Sequence, residues 1–356
     1  MAKLKDFLDY IQPTKYIVND DNYDDSYETP VLTAGQTFIL GYTNEKDNIY
    51  DATKQPVIIF DDFTTSIQYV DFPFKVKSSA MKIIVPKNEN NIKYWYYFLK
   101  TINIDSSVHK RYWISEFAEM EVDFKNIDEQ NKIVEKLDKI ENMINIRKDN
   151  ITDLDNYVNS KYHELFDSNA EWIEIGSEFE VVTGGTPSKK ILEYWENGTI
   201  PWIGSNMCSD NIIYENDGKY ISEEGLKHSN AKLLPKGTVC IALIGATIGK
   251  TALLEFETTT NQNIASILVT KNENYLPEFV FYSMKMNYYI FESMGKGFNM
   301  ANLKDIRALK IPKVSLDQQH EFEKIILKIE LMKSELQKEV NELEILLKSQ
   351  ISELYN

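Results

Sequence analysis

Apolar side chains recur at steps of three and four residues over two long stretches of the chain, 127–166 and 316–356. A heptad seam sustained over more than four heptads is typical of coiled-coil helices. The seam residues are Ile133, Leu137, Ile140, Ile144, Ile151, Leu154, Val158 and Leu165 in the first stretch, and Phe322, Ile326, Ile329, Leu336, Val340, Leu343, Leu347 and Leu354 in the second. The pattern predicts two long helices, which we expect to pack antiparallel through these side chains.

Polar residues interrupt both seams and stand at their beginnings. Asp128 and Asp317 lie just before the apolar period, where a side chain that caps the helix N-terminus is expected. Neither stretch contains an internal Gly or Pro, so each helix should run about 38 residues, roughly 57 Å. Four polar residues break the seams: Arg147, Lys161, Lys333 and Gln350.

The two stretches are copies of one another. Residues 127–167 align without a gap on 316–356 at an offset of 189, and IIVPKNEN (83–90) is echoed by ILVTKNEN (267–274) at an offset of 184. An internal repeat indicates that one structural arrangement occurs twice along the chain. The predicted order is a globular domain at 1–126, a helix at 127–166, a second globular domain at 167–315 and a helix at 316–356.

The regions outside the helices mix strand-like and helix-like segments. Short apolar runs bounded by turn residues predict strands at 29–35, 56–60, 66–70 and 81–85, and at 200–204, 238–245 and 265–269. A short helix is expected at 4–11, and an aromatic run at 94–99 predicts a helix whose rings belong to the core. The fold class predicted for both globular domains is therefore α+β.

The net charge of −16 predicts a low affinity of the chain by itself for nucleic acid. Phosphate contacts from Lys and Arg supply most of the affinity for DNA, so an acidic protein is a poor DNA binder on its own. Binding within a complex whose partners carry positive charge stays possible. The sequence also has no apolar run near 18 residues and no signal-peptide core at its N-terminus, so we expect a cytoplasmic protein.

Several kinds of active site find no support in the residues. Cys208 and Cys240 form neither a disulfide framework nor a zinc site and are expected to be buried. The four histidines are scattered, so no metal site is predicted. The GATIGKT segment lacks the first Gly of a phosphate-binding loop, because Ile244 stands there. No catalytic residue is predicted.

Five motifs follow one another through the second half of the chain: GGTPS (184–188), IPWIGSNM (200–207), GATIGK (245–250), NQNIASI (261–267) and NLKDIRALKIPKVSLDQQ (302–319). Together they resemble the specificity (S) subunit of type I restriction–modification systems. In the first half, TPVLTAG (29–35) and IDEQNKIVEKL (127–137) are similar to the same family, although no GGTPS-type opening occurs there.

This resemblance implies two target-recognition domains held apart by an antiparallel pair of helices, with each domain reading one half of a split sequence in double-stranded DNA. It further implies that two methyltransferase subunits dock on the helices and that restriction and translocase subunits join this core. The chain itself would then be non-catalytic and would hold no cofactor. S-adenosylmethionine, ATP and Mg²⁺ would belong to the partner subunits.

Polar loop residues are the candidates for contacts with DNA. Base edges are read by side chains that donate or accept hydrogen bonds, and phosphates are held by Lys and backbone amides. The candidates in the second half are Thr186, Ser188, Lys189, Lys190, Ser205, Asn206, Thr247, Lys250, Asn261, Gln262, Asn263, Lys296 and Asn299. Those in the first half are Thr33, Gln36, Thr64, Thr65, Ser107, His109, Lys110 and Arg111.

Two other functions are compatible with parts of the sequence. An acidic protein that mimics DNA and inhibits such enzymes would explain the net charge, but it would not need duplicated loops rich in Gly, Thr, Asn and Lys. A coiled-coil interaction scaffold would explain the helices, but it would not need two large globular regions. Recognition of DNA within a complex accounts for both features.

Overall fold

The computed structural model describes residues 2–33, 37–102, 111–123, 125–166, 171–294 and 300–355. The helices in these residues are α1 (Leu4–Phe7), α2 (Ile92–Leu99), α3 (Tyr112–Ser115), α4 (Ile127–Phe166), α5 (Ile175–Glu178), α6 (Glu223–Lys227), α7 (Pro277–Met286), α8 (Tyr288–Met294), α9 (Leu303–Arg307) and α10 (Leu316–Tyr355). The chain divides into a first unit, residues 1–149 with 337–356, and a second unit, residues 150–336.

Strands make up most of the remaining regular structure of both units. Those of the first unit are β1 (Ala2–Lys3), β2 (Leu8–Ile11), β3 (Thr29–Leu32), β4 (Ile39–Thr43), β5 (Tyr50–Asp51), β6 (Val57–Asp61), β7 (Ile67–Val70), β8 (Pro73–Val76), β9 (Met81–Pro86) and β10 (Glu121–Val122). Those of the second unit are β11 (Glu171–Glu174), β12 (Val181–Thr183), β13 (Ile200–Ile203), β14 (Asn211–Ile213), β15 (Tyr220–Ile221), β16 (Val239–Ala242), β17 (Thr251–Leu254), β18 (Thr259–Thr260), β19 (Ile264–Ile267) and β20 (Lys310–Lys313).

The two predicted long helices are present as α4 and α10, of 40 residues each. The unit boundary falls inside both helices, so part of each helix packs in each unit. The four domains predicted from the sequence are divided at the ends of the long helices, whereas these two units are divided by packing contacts. The predicted domain boundaries therefore stay a prediction.

The N-termini of the two long helices carry matching caps. The Asn126 side chain accepts a hydrogen bond from the Glu129 N–H (3.0 Å), and the Glu129 carboxylate accepts one from the Asn126 N–H (3.1 Å). Ser315 and Gln318 make the same reciprocal pair at 3.4 and 3.1 Å. This arrangement is a capping box, and it satisfies otherwise unpaired N–H groups. The prediction of caps at two aspartates is wrong, because both lie inside the first turn: Asp128 and Asp317.

In the first unit, the two helix segments pack antiparallel through the predicted seam. Ile140 and Ile144 of α4 form one buried cluster with Val340 of α10. Nearer its N-terminus, α4 buries Leu137 in the same core as Ile351 of α10. The residue numbers therefore rise along one helix as they fall along the other, as the seam predicts.

In the second unit, α4 and α10 pack against each other through aromatic rings. Tyr162 and Phe166 of α4 lie 5.6 and 5.4 Å from the ring of Phe322 of α10, measured between ring centroids. Both α4 residues are buried, although the heptad pattern assigned this end of the seam to Leu165, which is only partly buried. In the last turn of α4, the buried side chains are therefore not the ones that the heptad pattern predicts. They face the globular core, and the heptad period of one helix gives no information on where that core lies.

Burial along the seam is graded. Nine seam side chains are buried: Ile133, Leu137, Ile140, Ile144, Val158, Phe322, Ile326, Ile329 and Val340. Six are half-buried: Ile151, Leu154, Leu165, Leu336, Leu343 and Leu347. The side chain of Leu354 lies outside the described residues.

Polar seam breaks are compensated by ion pairs within each unit. Arg147 pairs with Glu339 of α10 in the first unit. In the second unit Lys333 lies 2.7 Å from Asp155 of α4. Lys161 pairs with Glu164 one turn along its own helix, and the Gln350 amide donates to Glu353.

Placing a carboxylate at a buried seam position is expected to be costly. Val340 is 1% exposed between Ile140 and Ile144. The change Val340→Asp should lower the free energy of unfolding by roughly 3–5 kcal/mol, because the new charge would be buried without a partner. Urea unfolding followed by circular dichroism measures this loss. Asn341→Asp adds the same charge at the exposed neighbour as a control, and equal losses in both variants would contradict the buried seam.

Strand β6 lies in the middle of the first globular region. It belongs to the antiparallel sheet β2–β9–β6–β7 and has side chains buried on both faces. Ile58 and Phe60 pack toward α2, whereas Val57 and Ile59 pack toward the mixed sheet β4–β3–β8–β5. Strands buried on both faces read as continuous apolar runs, which explains the VIIF sequence.

Of two helices predicted from the sequence in this region, one is confirmed and the other is wrong in part. The aromatic run forms α2, and Trp95 and Tyr97 are buried, so the prediction that its rings belong to the core is confirmed. The helix predicted at 4–11 is wrong in its second half, because Leu8–Ile11 pairs with β9 as strand β2. That pairing partner is far away in sequence and outweighs the local preference.

The second globular region has the same design around β16. The sheet order is β12–β19–β16–β17–β14, and a separate small sheet has the order β15–β13–β18. Val239 and Ile241 pack toward α7, whereas Cys240 and Ala242 face the opposite core. Burial raises the pKa of the Cys240 thiol to about 12, so this cysteine behaves as the buried apolar residue that the sequence predicts.

Within the described part of the chain, no helix is both long enough and apolar enough to cross a membrane.

Candidate nucleic-acid interface

Two adjacent glycines hold the GGTPS loop of the second unit against its neighbours. A Cβ on Gly184 would lie 2.0 Å from the carbonyl oxygen of Thr260, and one on Gly185 would lie 2.5 Å from the carbonyl carbon of Asn230. The Gly185 N–H donates to the Thr260 carbonyl (2.8 Å), and the Trp202 indole N–H donates to the Gly185 carbonyl (3.0 Å). Only glycine fits at these two positions, and the following residue, Thr186, is thereby held in place.

Three further polar loops are joined to this one by hydrogen bonds, and the four are called the loop cluster: 184–190, 204–207, 245–247 and 261–263. The Asn261 N–H donates to the Ile203 carbonyl (3.1 Å), which fixes the fourth loop to the second. The Thr247 hydroxyl donates to the Ser205 carbonyl (3.4 Å), which fixes the third. The Thr186 hydroxyl donates to Gln262 Oε1 (2.7 Å), which fixes the first. The structure thus brings together predicted contacts that lie far apart in sequence.

The rim of the loop cluster carries exposed lysines. Lys189 and Lys190 are exposed, as is Ser188 before them. Neither lysine forms an ion pair with any residue that the structure describes, although ion pairs are frequent elsewhere in this acidic chain. A basic rim beside polar side chains is the arrangement by which proteins hold phosphates and read bases.

Lys250 differs from these rim lysines. Its Nζ lies 2.6 Å from Asp210 Oδ2 and 4.2 Å from the ring centroid of Tyr288. Asp210 also accepts a hydrogen bond from the Thr251 N–H (3.0 Å). Lys250 therefore holds the GATIGK turn to the 210 loop and is already engaged by a carboxylate and a ring.

We expect Lys250 to matter for the fold of the loop cluster and little for phosphate binding. In an assembled complex, Lys250→Met should leave the slope of log affinity against log salt unchanged. Lys190→Met should reduce that slope by about 1, because each phosphate contact releases counterions. Fluorescence anisotropy with labelled duplex at several salt concentrations measures both slopes. Equal reductions in the two variants would show that Lys250 also holds a phosphate.

Candidates in the first unit fall into two places. Thr64 and Thr65 form the turn between β6 and β7, where Thr65 has a φ of 60° and Asp61 accepts the Thr64 N–H. The exposed Arg111 is held near this turn by the two residues that follow it. Asp62 accepts hydrogen bonds from the N–H groups of Tyr112 (3.1 Å) and Trp113 (2.9 Å). Thr33 lies in a separate loop, where its hydroxyl donates to the Thr37 carbonyl (2.6 Å).

Six predicted contacts lie outside the described residues, so the structure does not test them: Gln36, Ser107, His109, Lys110, Lys296 and Asn299.

Two glutamines that the sequence interpretation passed over connect the long helices to the globular regions. Gln130 of α4 is buried; its amide donates to Asn90 Oδ1 (3.0 Å) and the Lys125 carbonyl (2.9 Å), and its oxygen accepts the Asn91 N–H (2.9 Å). Gln319 of α10 occupies the equivalent place in the second unit. These two residues and their bonds are called the glutamine anchors.

The second anchor repeats the pattern of the first, with two bonds donated by the amide and one accepted from a backbone N–H. Gln319 is buried, its amide donates to the carbonyls of Asn274 (2.8 Å) and Val314 (3.2 Å), and its oxygen accepts the Leu276 N–H (2.8 Å). The two glutamines are 189 residues apart, as the repeat requires. Identity at the same place of a gapless repeat was the signal that could have revealed them.

A second matched contact lies farther along each helix. The Tyr97 hydroxyl lies 2.7 Å from Asp138 and 2.8 Å from Glu141 and shares its one hydrogen between these carboxylates, and the Tyr282 hydroxyl donates to Glu330 (2.8 Å). Burial, with the neighbouring carboxylates, raises the pKa of both phenols, so each stays a hydrogen-bond donor. Both globular regions are thus attached to the long helices by the same chemistry.

Comparison of the chain with known proteins identifies its family. The family profile for the type I restriction modification DNA specificity domain matches residues 1–156 and 168–344. The chain is 34% identical over 354 residues to the type I restriction enzyme EcoR124I/EcoR124II specificity subunit of Escherichia coli, covering 92% of this chain and 86% of that protein. It is 31% identical over 154 residues to the MjaIX specificity subunit of Methanocaldococcus jannaschii, covering 41% of this chain and 34% of that one.

Solved structures share the fold at low sequence identity. The S subunit of a type I restriction–modification system from M. genitalium aligns with a TM-score of 0.52 at 16% identity, over 100% of this chain and 95% of that one. A chain from a study of complex assembly and conformational transition in the type I R-M system aligns with a TM-score of 0.54 at 13% identity, over 100% and 99%.

Proposed function

Because the chain belongs to the type I restriction–modification DNA specificity family, we propose that each of its globular regions reads one half of a bipartite sequence in double-stranded DNA. The observation that carries this proposal is the duplication. The same glutamine anchor attaches a globular region to each long helix, whereas the polar loops of the two regions differ. Two unlike reading surfaces on one repeated scaffold suit an asymmetric target with two halves.

The long helices would serve as docking surfaces for two methyltransferase subunits. Exposed apolar side chains on them support this role, because such residues mark protein interfaces. In the first unit these are Met143, Ile146, Ile345 and Leu346, and in the second unit they are Tyr157, Leu327, Leu331 and Met332. Met143 and Met332 occupy equivalent places in the repeat, as do Tyr157 and Leu346.

We assign the chemistry to the partner subunits. The related proteins are named specificity subunits, which supports a non-catalytic role for this chain. Methylation with S-adenosylmethionine would belong to the methyltransferase subunits, and ATP- and Mg²⁺-dependent work would belong to restriction and translocase subunits. This assembly would act in the cytoplasm, where the DNA of bacteria and archaea lies.

Mapping of methylated bases in the genome tests the proposal. Cells that contain the chain with its methyltransferase partner should carry a methylated asymmetric motif made of two short halves and a gap of fixed length. Deletion of the chain alone should remove methylation at that motif and at no other. Unchanged methylation after the deletion would refute the proposal. An inhibitor that mimics DNA would instead increase methylation when deleted.

We expect the isolated chain to bind DNA weakly. Its net charge of −16 repels phosphates, and positive charge from partner subunits would be needed to offset it. At about 150 mM salt, where the Debye length is about 8 Å, the complex with methyltransferase subunits should bind the target duplex far more tightly than the chain alone. Fluorescence anisotropy on both samples measures the difference, and tight sequence-specific binding by the chain alone would contradict it.

A further inference from the structure

Gln262 differs from the other polar residues of the loop cluster, because its backbone is fixed on both sides while its side chain is exposed. The Asn261 N–H donates to the Ile203 carbonyl (3.1 Å), and the Asn263 carbonyl accepts the Leu243 N–H (2.9 Å). The Asn263 N–H also donates to the Asn261 side chain (3.0 Å), which closes a tight turn around Gln262. The Gln262 side chain therefore projects from a rigid turn between β18 and β19.

The Gln262 amide is also oriented. The Thr186 hydroxyl donates to its Oε1 at 2.7 Å, which occupies one lone pair of that oxygen. The second lone pair and both amide hydrogens stay available, so the group can accept one hydrogen bond and donate another side by side. Thr186 is in turn held by the two close-packed glycines before it. The amide is thus oriented before any ligand binds, which lowers the entropy lost on binding.

A paired acceptor and donor on a planar amide match one base edge in the major groove. Adenine presents its N6 amino group as donor and N7 as acceptor, and glutamine binds both at once. We propose that Gln262 is a specificity-determining residue that reads an adenine in the half-site of the second unit, and that Thr186 is the residue that positions it. This inference rests on the proposed function, and it names the base and the residue that reads it.

The surroundings fit this role better than simple phosphate binding. The exposed lysines of the loop cluster, Lys189 and Lys190, lie three and four residues beyond Thr186 in the same loop, where they would hold phosphates near the base. A phosphate has only acceptor oxygens, so it would use the amide hydrogens of Gln262 and leave the second lone pair of its oxygen without a partner. One more amide, the exposed Asn206, lies beside Gly204 and widens the surface that can contact base edges.

The test uses the complete complex with its methyltransferase subunits and a DNA library in which each position of the mapped target is varied. In the wild type, one position of one half-site should require adenine. Gln262→Ala should reduce the preference for adenine at that position by roughly 5- to 150-fold, the range of a single bidentate contact. Gln262→Glu should shift the preference there toward cytosine, because a carboxylate accepts from the N4 amino group.

Variants of Thr186 separate positioning from a merely structural role. Thr186→Val should weaken the preference at the same position and at no other, whereas Thr186→Ser, which keeps the hydroxyl, should retain it. Gln68→Ala, at an exposed glutamine on β7 of the first unit, is the matched control and should leave every preference unchanged. Thermal unfolding of each complex checks that the variants are folded, which we expect because Gln262 is exposed.

Three results would overturn the inference. Gln262→Ala could leave all preferences unchanged, or it could slow methylation of all sequences equally, which would make Gln262 a contributor to affinity only. A shift in both half-sites would show that it acts on the whole complex. If the wild-type complex methylated no bipartite sequence, the proposed function would fail as well, so the two failures are distinguished by the wild-type library alone.

Discussion

Replacement of Gln319 by methionine should lower the free energy of unfolding of the second unit by about 3 kcal/mol or more. Methionine fills a similar volume but leaves the Leu276 N–H and the carbonyls of Asn274 and Val314 without their partner. Gln319 itself is buried, and each polar group left unpaired at such a place costs about 1–3 kcal/mol. The loss should be local, because all three groups lie where α10 meets the globular region.

Urea unfolding measures the total loss, and hydrogen exchange locates it. The amide of Leu276 and its neighbours at the start of α7 should exchange faster in Gln319→Met. Gln130→Met should produce the equivalent loss at Asn91 in the first unit, because that anchor also donates two hydrogen bonds and accepts one. Gln337→Met, on the exposed face of α10, is the control and should cost little. A full-sized effect in one unit only would mean that the two anchors are not energetically equivalent.

Exchange of one globular region for that of another family member should replace one half of the DNA target and keep the other half. The reading loops of the second unit are joined to each other by hydrogen bonds that lie within 184–263, so they should move as a set. The gap between half-sites should stay fixed as well, because both long helices keep their length. Mapping of methylated bases in cells with the hybrid measures all three properties.

The structure also determines where such a hybrid should be joined. A hybrid cut at 167 and 315 separates Tyr162 and Phe166 of α4, and Phe322 of α10, from the core in which they are buried. A hybrid cut at 150 and 336 carries these rings along and should be more stable to heat. Both should recognise the same new half-site. A changed gap, or a change in both half-sites, would contradict independent reading by the two regions.

Local patterns in the sequence were sufficient for the parts of this protein that depend on regular repetition. The helix period predicted α4 and α10, and short apolar runs predicted the strands around β6 and β16, because residues close together in sequence produce these signals. The gapless repeat predicted that the two long helices match. The same patterns predicted buried aromatic rings in α2. The motifs of the second half led to the correct family, and four of the five contribute residues to the loop cluster.

Tertiary structure alone decided how polar side chains are used. Lys250 stays a predicted DNA contact, and only the structure shows that a carboxylate 40 residues away in sequence and a tyrosine ring contact it. Gln130 and Gln319 looked like ordinary helix residues, although their buried side chains make the bonds that join each helix to its globular region. A hydrogen bond is determined by position and direction in space, and its partner here comes from a distant loop. The sequence alone therefore could show where polar residues lie along the chain, and only the folded chain could show which of them are already paired and which stay available for DNA.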